Sequence, residues 1–149
     1  QYAHGNEPSH HVIHLYNYVN RPWRTQELVD SVYRSQYANS VDGLSGNEDC
    51  GQMSAWYVLN SMGFYQVCPG KPVYSIGRPA FDKAVINLPE DKTFSIIVKN
   101  NSKENKYIES ISLNGKSLDT PFFNHQDIAN GGTMEISMTD KPNYKTHIP

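Results

Sequence analysis

The chain has few cysteines, no long apolar run and almost no excess of charge. Cys50 and Cys68 are the only cysteines among 149 residues, so no disulfide framework can form, and the sequence leaves open whether the two pair or stay as free buried thiols. No apolar run approaches the roughly 20 residues that a membrane-spanning helix needs. The formal net charge of −2 provides no basic surface for nucleic acid or an anionic membrane. We therefore expect neither a nucleic-acid partner nor a membrane span.

The most distinctive segment covers residues 46–57, which read G-N-E-D-C-G-Q-M-S-A-W-Y. The apolar residues that follow its acids recur at helical spacing and predict a helix over residues 50–62. Asp49 is predicted as the N-cap of this helix, with Gln52 in the position of a capping-box partner. The positive end of a helix dipole favours a negative charge, and a general base must be ionised. An alternative interpretation is that Asp49 only caps the helix.

A second unusual segment covers residues 4–11, which read H-G-N-E-P-S-H-H. Pro8 suits the first position of a helix, which is predicted over residues 8–19 with Glu7 directly before it. His10 and His14 are four residues apart, as in zinc-binding helices, but His11 stands where the metalloprotease pattern has a glutamate. We therefore expect these imidazoles to hydrogen-bond a sugar or a carboxylate, or to pack in the core.

The rest of the sequence predicts an α+β chain in which helices precede strands. A second helix is predicted over residues 22–37, and Gly63 is predicted to end the third. Prolines and glycines mark residues 64–82 as an extended connector between the helices of 1–63 and a β-rich subdomain of 83–149. In that subdomain, Asn114-Gly115 signals a hairpin within a small antiparallel sheet or sandwich. The predicted strands are Ala84–Leu88, Thr93–Lys99, Tyr107–Leu113 and Met134–Met138, with a short one near Lys116–Leu118.

Three segments give the chain a family resemblance. Residues 4–11, residues 46–57 and the K-N-N-S-K-E-N-K-Y-I of residues 99–108 occur in the order found in glycoside hydrolase family 92 α-mannosidases. The chain resembles the C-terminal part of such an enzyme from about residue 2 to about residue 143. The resemblance implies the terminal helices of an (α/α)6 barrel followed by a small antiparallel sheet or sandwich. Because Gln1 rather than Met comes directly ahead of a motif, we expect an upstream part of the same polypeptide as a partner.

The resemblance also implies a function, which is the calcium-dependent, exo-acting hydrolysis of terminal α-mannosides of glycans with inversion. Inverting hydrolysis needs a general acid and a general base whose carboxyl groups lie about 6.5–9.5 Å apart. Asp49 is implied as the base, with Glu48 either facing the site or packing behind it. Asn47 stands where some family members carry an aspartate that assists the base, and it would hold the water.

The resemblance also implies a calcium site at the segment of residues 4–11. Glu7 is the expected ligand, joined by a side-chain or main-chain oxygen of Asn6, because Ca²⁺ prefers oxygen donors. His4, His10 and His11 are expected to contact the sugar or to support its ligands. The general acid lies upstream of this segment in the family, so we expect this chain alone to be catalytically silent. The family also implies a bacterial periplasmic or secreted location.

The sequence is also compatible with two other classes of function. A non-catalytic carbohydrate-binding module would use Phe122, Phe123 and Tyr107 as a stacking platform. A purely structural domain would use both acidic motifs only to cap helices.

Overall fold

The computed structural model describes residues 2–144, in which the long helices come first and most strands second. Gln1 and residues 145–149, which the predicted domain bounds include, lie outside the described residues. The α-helices are α1 (Leu15–Tyr18), α2 (Pro22–Gln36), α3 (Gln52–Met62) and α4 (His125–Ala129). The strands are β1 (Phe64–Tyr65), β2 (Val73–Ile76), β3 (Lys83–Asn87), β4 (Thr93–Lys99), β5 (Tyr107–Leu113), β6 (Lys116–Ser117), β7 (Phe122–Asn124) and β8 (Gly132–Thr139).

The predicted helix over residues 8–19 is wrong, because the segment forms three short pieces. Two 3₁₀ turns, Glu7–Ser9 and Val12–His14, precede the single turn of α1. Pro8 lacks a backbone donor, and the Ser9 hydroxyl bonds the carbonyls of Ala3 and Asn6, both at 2.8 Å. Such side-chain bonds compete with helical ones, so the backbone closes into i→i+3 turns. By contrast, the second helix is confirmed as α2, with Pro22 in its first turn.

The start of α3 also differs from the prediction. Gly51 is its N-cap, with φ +92°, so the prediction that Asp49 caps this helix with Gln52 as its capping-box partner is wrong. Asp49 and Cys50 also have positive φ, +46° and +59°, and the three residues turn the chain sharply into the helix. Although Gly51 occupies the N-cap position, the side-chain cap comes from Glu48, whose Oε1 accepts the backbone N–H of Ser54 at 3.0 Å. At the other end, Gly63 with φ +104° ends α3 as predicted.

The strands form two sheets. A three-stranded sheet has the order β1-β2-β7, and a five-stranded sheet has the order β3-β4-β8-β5-β6. The segment 64–82, predicted as an extended connector, therefore supplies two strands that pair with each other and with β7. The hairpin at Asn114-Gly115 is confirmed, with φ +51° and +76°. One pair, β4 with β8, is parallel within an otherwise antiparallel arrangement, because both strands start at the same end of the sheet, with Phe94 opposite Gly132.

The apolar core has two parts among the described residues, and α3 and β1 contribute side chains to both. One part lies under the five-stranded sheet and includes Phe94, Ile136 and Phe123, and the other packs Trp56 against α2. Tyr107 is also buried, and its hydroxyl donates to Glu27 of α2 at 2.8 Å. The stacking platform predicted for a carbohydrate-binding module is therefore wrong, because Phe123 and Tyr107 are 3% and 7% exposed. Phe122 is half-buried, against the ring of Tyr18.

A buried ion pair joins the helices to the sheets. Nε of Arg78 lies 3.2 Å from Oδ1 of Asp30 on α2, and Arg78 also donates to the Ser102 carbonyl at 3.0 Å. The side-chain oxygen of Gln26 accepts the N–H of Ile108 at 3.0 Å, at the start of β5. These contacts hold α2 against the loop and strand at residues 102–108. No helix among residues 2–144 is both long and apolar enough to cross a membrane.

Candidate active site

The two acidic motifs lie side by side. We call residues 3–11 the Glu7 loop and residues 45–51 the Asp49 loop. A Cβ atom placed on Gly46 would lie 3.0 Å from both the Cα and the carbonyl oxygen of Gly5, and a Cβ on Gly5 would overlap the carbonyl oxygen of Ser45. Such distances leave no room for a side chain, so the glycines allow the two backbones to touch. The fold thus brings together motifs that are about 40 residues apart in the sequence.

Glu7 has a free carboxylate oxygen within the protein. The residue is half-buried in the first 3₁₀ turn, and its Oε1 is buried without a hydrogen-bond partner among the described residues. A buried, unpaired carboxylate oxygen is costly unless a cation or another donor completes it. Beside it, Asn6 is exposed, and its carbonyl already accepts the Ser9 N–H at 2.9 Å. Of the two oxygens of Asn6, the side-chain oxygen is therefore more available to a metal ion than the backbone oxygen.

These oxygens fit a hard cation such as Ca²⁺, which takes carboxylate and amide oxygens. Among residues 2–144, however, no group of three or more His, Cys, Asp or Glu side chains is placed to hold a metal. Glu7 and Asn6 thus form part of a coordination shell, and water or oxygens from elsewhere would have to complete it.

In the Asp49 loop the three predicted residues have different surroundings. Glu48 is half-buried and caps α3, as described above. Asn47 and Asp49 are exposed, and their side chains make no hydrogen bond to other described residues. The positive φ of Asp49 and Cys50 costs about 1–2 kcal/mol for each residue, since only glycine adopts it freely. Backbone bonds from Met53 to the Glu48 carbonyl (3.3 Å) and from Gln52 to the Asp49 carbonyl (3.4 Å) hold this turn.

His4 is enclosed by aromatic side chains directly before Gly5. Its Nε2 lies 2.7 Å from the hydroxyl of Tyr37, which donates its own hydrogen to the Met53 carbonyl at 2.9 Å. His4 therefore carries its proton on Nε2, and its Nδ1 accepts from the Tyr2 hydroxyl at 2.6 Å. Burial, with a smaller effect of His10, lowers the pKa of His4 to about 4, so this imidazole is neutral at pH 7.

His10 stacks on His4, with ring centroids 4.4 Å apart, and both its nitrogens have protein partners. Its Nε2 donates to the His4 carbonyl at 2.9 Å, and its Nδ1 accepts from the Gln52 amide at 3.0 Å. Burial lowers the pKa of His10, although the bond to the His4 carbonyl and the charge of Glu7 oppose the shift. Neither His4 nor His10 has a nitrogen left for a direct contact with a sugar.

The third predicted histidine, His11, is half-buried, and its side chain makes no hydrogen bond to other described residues. Of the three it is the one whose ring nitrogens are available to a ligand. His14 lies deeper, fully buried between Asn60 at 2.8 Å and Ser75 at 3.1 Å. Burial lowers its pKa to about 4, against the opposing effect of the Asn60 hydrogen bond, so it is a neutral core residue.

Tyr37 is a central residue that the sequence did not single out. Its ring stacks on Trp56 at 5.9 Å, and its hydroxyl joins His4 to α3. Burial raises the pKa of Tyr37, and the Tyr2 hydroxyl, Glu48, Tyr65 and Glu7 raise it further, in that order. Nothing in the sequence near residue 37 marks this role, because it depends on contacts across the fold.

Two cysteines and a cavity are further chemical candidates among the described residues. Cys50 and Cys68 are free, as one interpretation held, but they are exposed rather than buried. A cavity of about 480 Å³ lies between the end of α2, the following loop and α3. It is lined by Tyr33, Tyr37, Ala38, Asn39, Ser40, Val41, Gly43, Leu44, Ser54, Tyr57 and Val58 and contains none of the motif carboxylates.

Comparison with known families shows that the chain belongs to a family of glycoside hydrolases. Residues 1–140 match the family model described as the glycosyl hydrolase family 92 catalytic domain, and the chain belongs to this family. The family resemblance found in the sequence is thereby confirmed. The mixed fold with its mainly antiparallel sheets is confirmed as well.

Two solved structures are similar over nearly the whole chain. The family 92 α-mannosidase BT3965 from Bacteroides thetaiotaomicron is 40% identical, with a TM-score of 0.92 over 98% of this chain and 20% of that one. The family 92 inverting mannosidase BT2199 from the same organism is 43% identical, with a TM-score of 0.90 over 96% of this chain and 19% of that one. An uncharacterised secreted glycosidase of Arthroderma benhamiae is 35% identical over 137 residues, 90% of this chain and 18% of that protein. The chain thus spans about a fifth of the length of these relatives.

Proposed function

We propose that this chain is the C-terminal part of the catalytic domain of an inverting α-mannosidase that removes terminal α-mannosides from glycans. The observation that carries the proposal is the backbone contact between the Glu7 loop and the Asp49 loop at Gly5 and Gly46. It places a free carboxylate oxygen and an exposed carboxylate on neighbouring loops. The reaction is proposed by analogy with the relatives BT3965, an α-mannosidase, and BT2199, an inverting mannosidase.

Asp49 is proposed as the general base. Its carboxylate is exposed and has no hydrogen-bond partner among the described residues, so it is accessible to a water molecule. Asn47 would orient that water without competing for its proton. Glu48 has a structural task in capping α3, so its part in the chemistry is to hold the turn that presents Asp49. The general acid is proposed to come from the polypeptide outside this chain, and this chain alone is expected to be silent.

Glu7 and Asn6 are proposed as calcium ligands. The buried and unpaired Oε1 of Glu7 supports this assignment, as does the free side-chain oxygen of Asn6. When bound, Ca²⁺ would supply positive charge that holds mannose hydroxyls and favours a distorted ring. His11 is proposed to contact the sugar, while His4 and His10 support the Glu7 loop through their protein partners.

Two further predictions stay with this proposal. The division into helices of an (α/α)6 barrel (1–63), a connector (64–82) and a β-rich subdomain (83–149) is kept, with β1 and β2 now placed in the connector. A secreted or periplasmic location is proposed because the relative from Arthroderma benhamiae is described as a secreted glycosidase.

The test uses the complete polypeptide with an aryl α-mannoside, and proton NMR identifies the anomer released first. We expect β-mannose as the first product and loss of turnover when a chelator removes Ca²⁺, with activity restored by added Ca²⁺. Release of α-mannose first would overturn inversion, and full activity in the chelator would overturn the calcium requirement. In a parallel assay, rapid turnover by residues 1–149 alone would overturn the proposal that the general acid lies outside this chain.

A further inference from the structure

One side chain joins the two loops and is not used by the proposed chemistry. Gln52 is the first residue of α3 and directly follows the Asp49 loop. Its Nε2 donates one hydrogen to Nδ1 of His10 at 3.0 Å and the other to the hydroxyl of Tyr65 at 2.9 Å. A primary amide has two donor hydrogens, so this group is fully used by its two partners.

His10 carries the contact into the Glu7 loop. Its Nε2 donates to the His4 carbonyl at 2.9 Å, and its backbone N–H donates to the Glu7 carbonyl at 3.0 Å. Its own carbonyl accepts from Nε1 of Trp56 at 3.2 Å. The residue is 1% exposed, so water cannot easily replace a lost partner. One buried imidazole therefore fixes the Glu7 loop on both sides of Glu7.

Tyr65, the second partner of the Gln52 amide, is held in place by the three-stranded sheet. It lies in β1, which pairs with β2, and its ring packs near His14 and Trp56 with centroids 5.5 and 6.4 Å away. The Gln52 amide is thus held between the sheet and the imidazole of His10.

We propose that Gln52 is a positioning residue that keeps the Glu7 loop in register with the Asp49 loop. The proposal rests on the function proposed above. Without the Gln52 amide, the buried Nδ1 of His10 loses its donor, and the side-chain contact between the Glu7 loop and the start of α3 is lost. The carboxylates of Glu7 and Asp49 then shift relative to each other. A misplacement of 1 Å costs about a hundredfold in rate, and loss of a group that orients a metal ligand costs about 10–100-fold in metal affinity.

The test is Gln52→Met in the complete enzyme, which keeps the length and the helix propensity of the side chain but removes both donors. The matched control is Gln126→Met, because Gln126 also lies in the first turn of a helix and donates to a side chain, Asn130, at 2.7 Å. We expect kcat to fall about 10–100-fold and the Kd for Ca²⁺, measured by calorimetry, to rise about tenfold. KM should change little, Tm should fall because a buried acceptor loses its partner, and the control should match wild type. Values of kcat and Kd within twofold of wild type would overturn the proposal.

A second variant covers the case in which Gln52→Met does not fold. Gln52→Ala removes both donors and places no new polar group between His10 and Tyr65. The same losses are expected, and wild-type kcat and Ca²⁺ affinity in this variant would overturn the proposal. A wild-type enzyme that fails to hydrolyse the aryl α-mannoside would instead overturn the proposed function, whereas an active wild type with unaffected variants overturns only the role of Gln52.

A double-variant comparison shows whether Gln52 acts through His10. His10→Phe retains a ring that stacks on His4 and removes both nitrogens. If the connection is as proposed, Gln52→Met combined with His10→Phe lowers kcat no further than His10→Phe alone. Independent, multiplicative losses would contradict it.

Discussion

The tripeptide Gly-Asn-Glu occurs at residues 5–7 and again at residues 46–48, and the two glutamates have opposite surroundings. The Oε1 of Glu7 is buried and has no hydrogen-bond partner among residues 2–144, whereas the Oε1 of Glu48 accepts the N–H of Ser54. The residues that follow make the difference. Pro8 starts a 3₁₀ turn after one copy, while a left-handed turn that ends at Gly51 leads into α3 after the other. Identical sequence thus gives a candidate ligand in one loop and a helix cap in the other.

The largest effect on activity is expected at Asp49, the exposed acid that follows the second Gly-Asn-Glu segment. Asp49→Asn in the complete enzyme is expected to lower kcat by about a thousandfold, because general base catalysis contributes about 10²–10⁴. Its Tm should stay within about 1 °C of wild type, since Asp49 neither caps α3 nor bonds another described side chain. Asp42→Asn, at another exposed position in the preceding loop, is the control. A large drop in Tm with kcat preserved would show that Asp49 is structural.

The next largest effect is expected at Glu7, and it concerns calcium affinity. Glu7→Gln is expected to weaken Ca²⁺ binding by about a hundredfold or more in calorimetry, because it removes the only charged ligand proposed in this chain. Stability without calcium should not decrease, since the variant removes a negative charge with an unpaired buried oxygen. Glu48→Gln is the matched control, and equal calcium affinity in the two variants would remove the distinction between the loops.

The histidines beneath both loops should make stability depend on pH. Burial lowers the pKa values of His4 and His14 to about 4, below their unfolded values near 6.5, so the unfolded chain binds more protons between these limits. Stability from this source is fully present above pH 6.5 and is lost as the pH falls to 4. For the fully buried His14 the loss is about 3 kcal/mol.

Urea unfolding of the chain at pH 7.5 and pH 4.5 measures this loss. His14→Gln removes the fully buried imidazole and should reduce the difference between the two pH values. An unfolding free energy that is equal at both values would contradict neutral burial of these histidines.

The smallest effect is expected at Glu48, and it concerns stability. Glu48→Gln should lower the unfolding free energy by about 1 kcal/mol, the usual value for a lost helix cap, because the amide oxygen is a weaker acceptor for the Ser54 N–H. Its effect on kcat should be less than tenfold. A loss of kcat as large as that of Asp49→Asn would mean that Glu48 takes part in the chemistry.

Regular elements with strong local signals were predictable from the sequence. Pro22 and the apolar spacing after it gave α2, and Asn114-Gly115 gave the hairpin of β5 and β6. The capping of α3 was not predictable. Asp49 and Gln52 fit the sequence pattern of a capping box, whereas the side chain that caps the helix belongs to Glu48, which lies before the N-cap position. Local rules also predicted a continuous helix after Pro8, but bonds from the Ser9 hydroxyl favour the tighter turns.

The parts of the site that depend on distant contacts were less predictable. The residues of both motifs could be named from the sequence, and so could their family. The roles of Tyr37 and Gln52 could not, because each acts on a histidine more than 30 residues away. The parallel pairing of β4 with β8 likewise depends on the path of the chain between these strands rather than on any residue pattern.

The division of work between Asp49 and Glu7 is tested most directly by adding azide to the two variants of the complete enzyme. A small anion can replace the water in an inverting reaction that has lost its base, because it attacks without needing to lose a proton. We predict that azide restores turnover of an aryl α-mannoside by Asp49→Asn, with β-mannosyl azide as the product, and restores nothing in Glu7→Gln. Failure of azide to accelerate Asp49→Asn, or equal rescue of both variants, would contradict the assignment of Asp49 as the base.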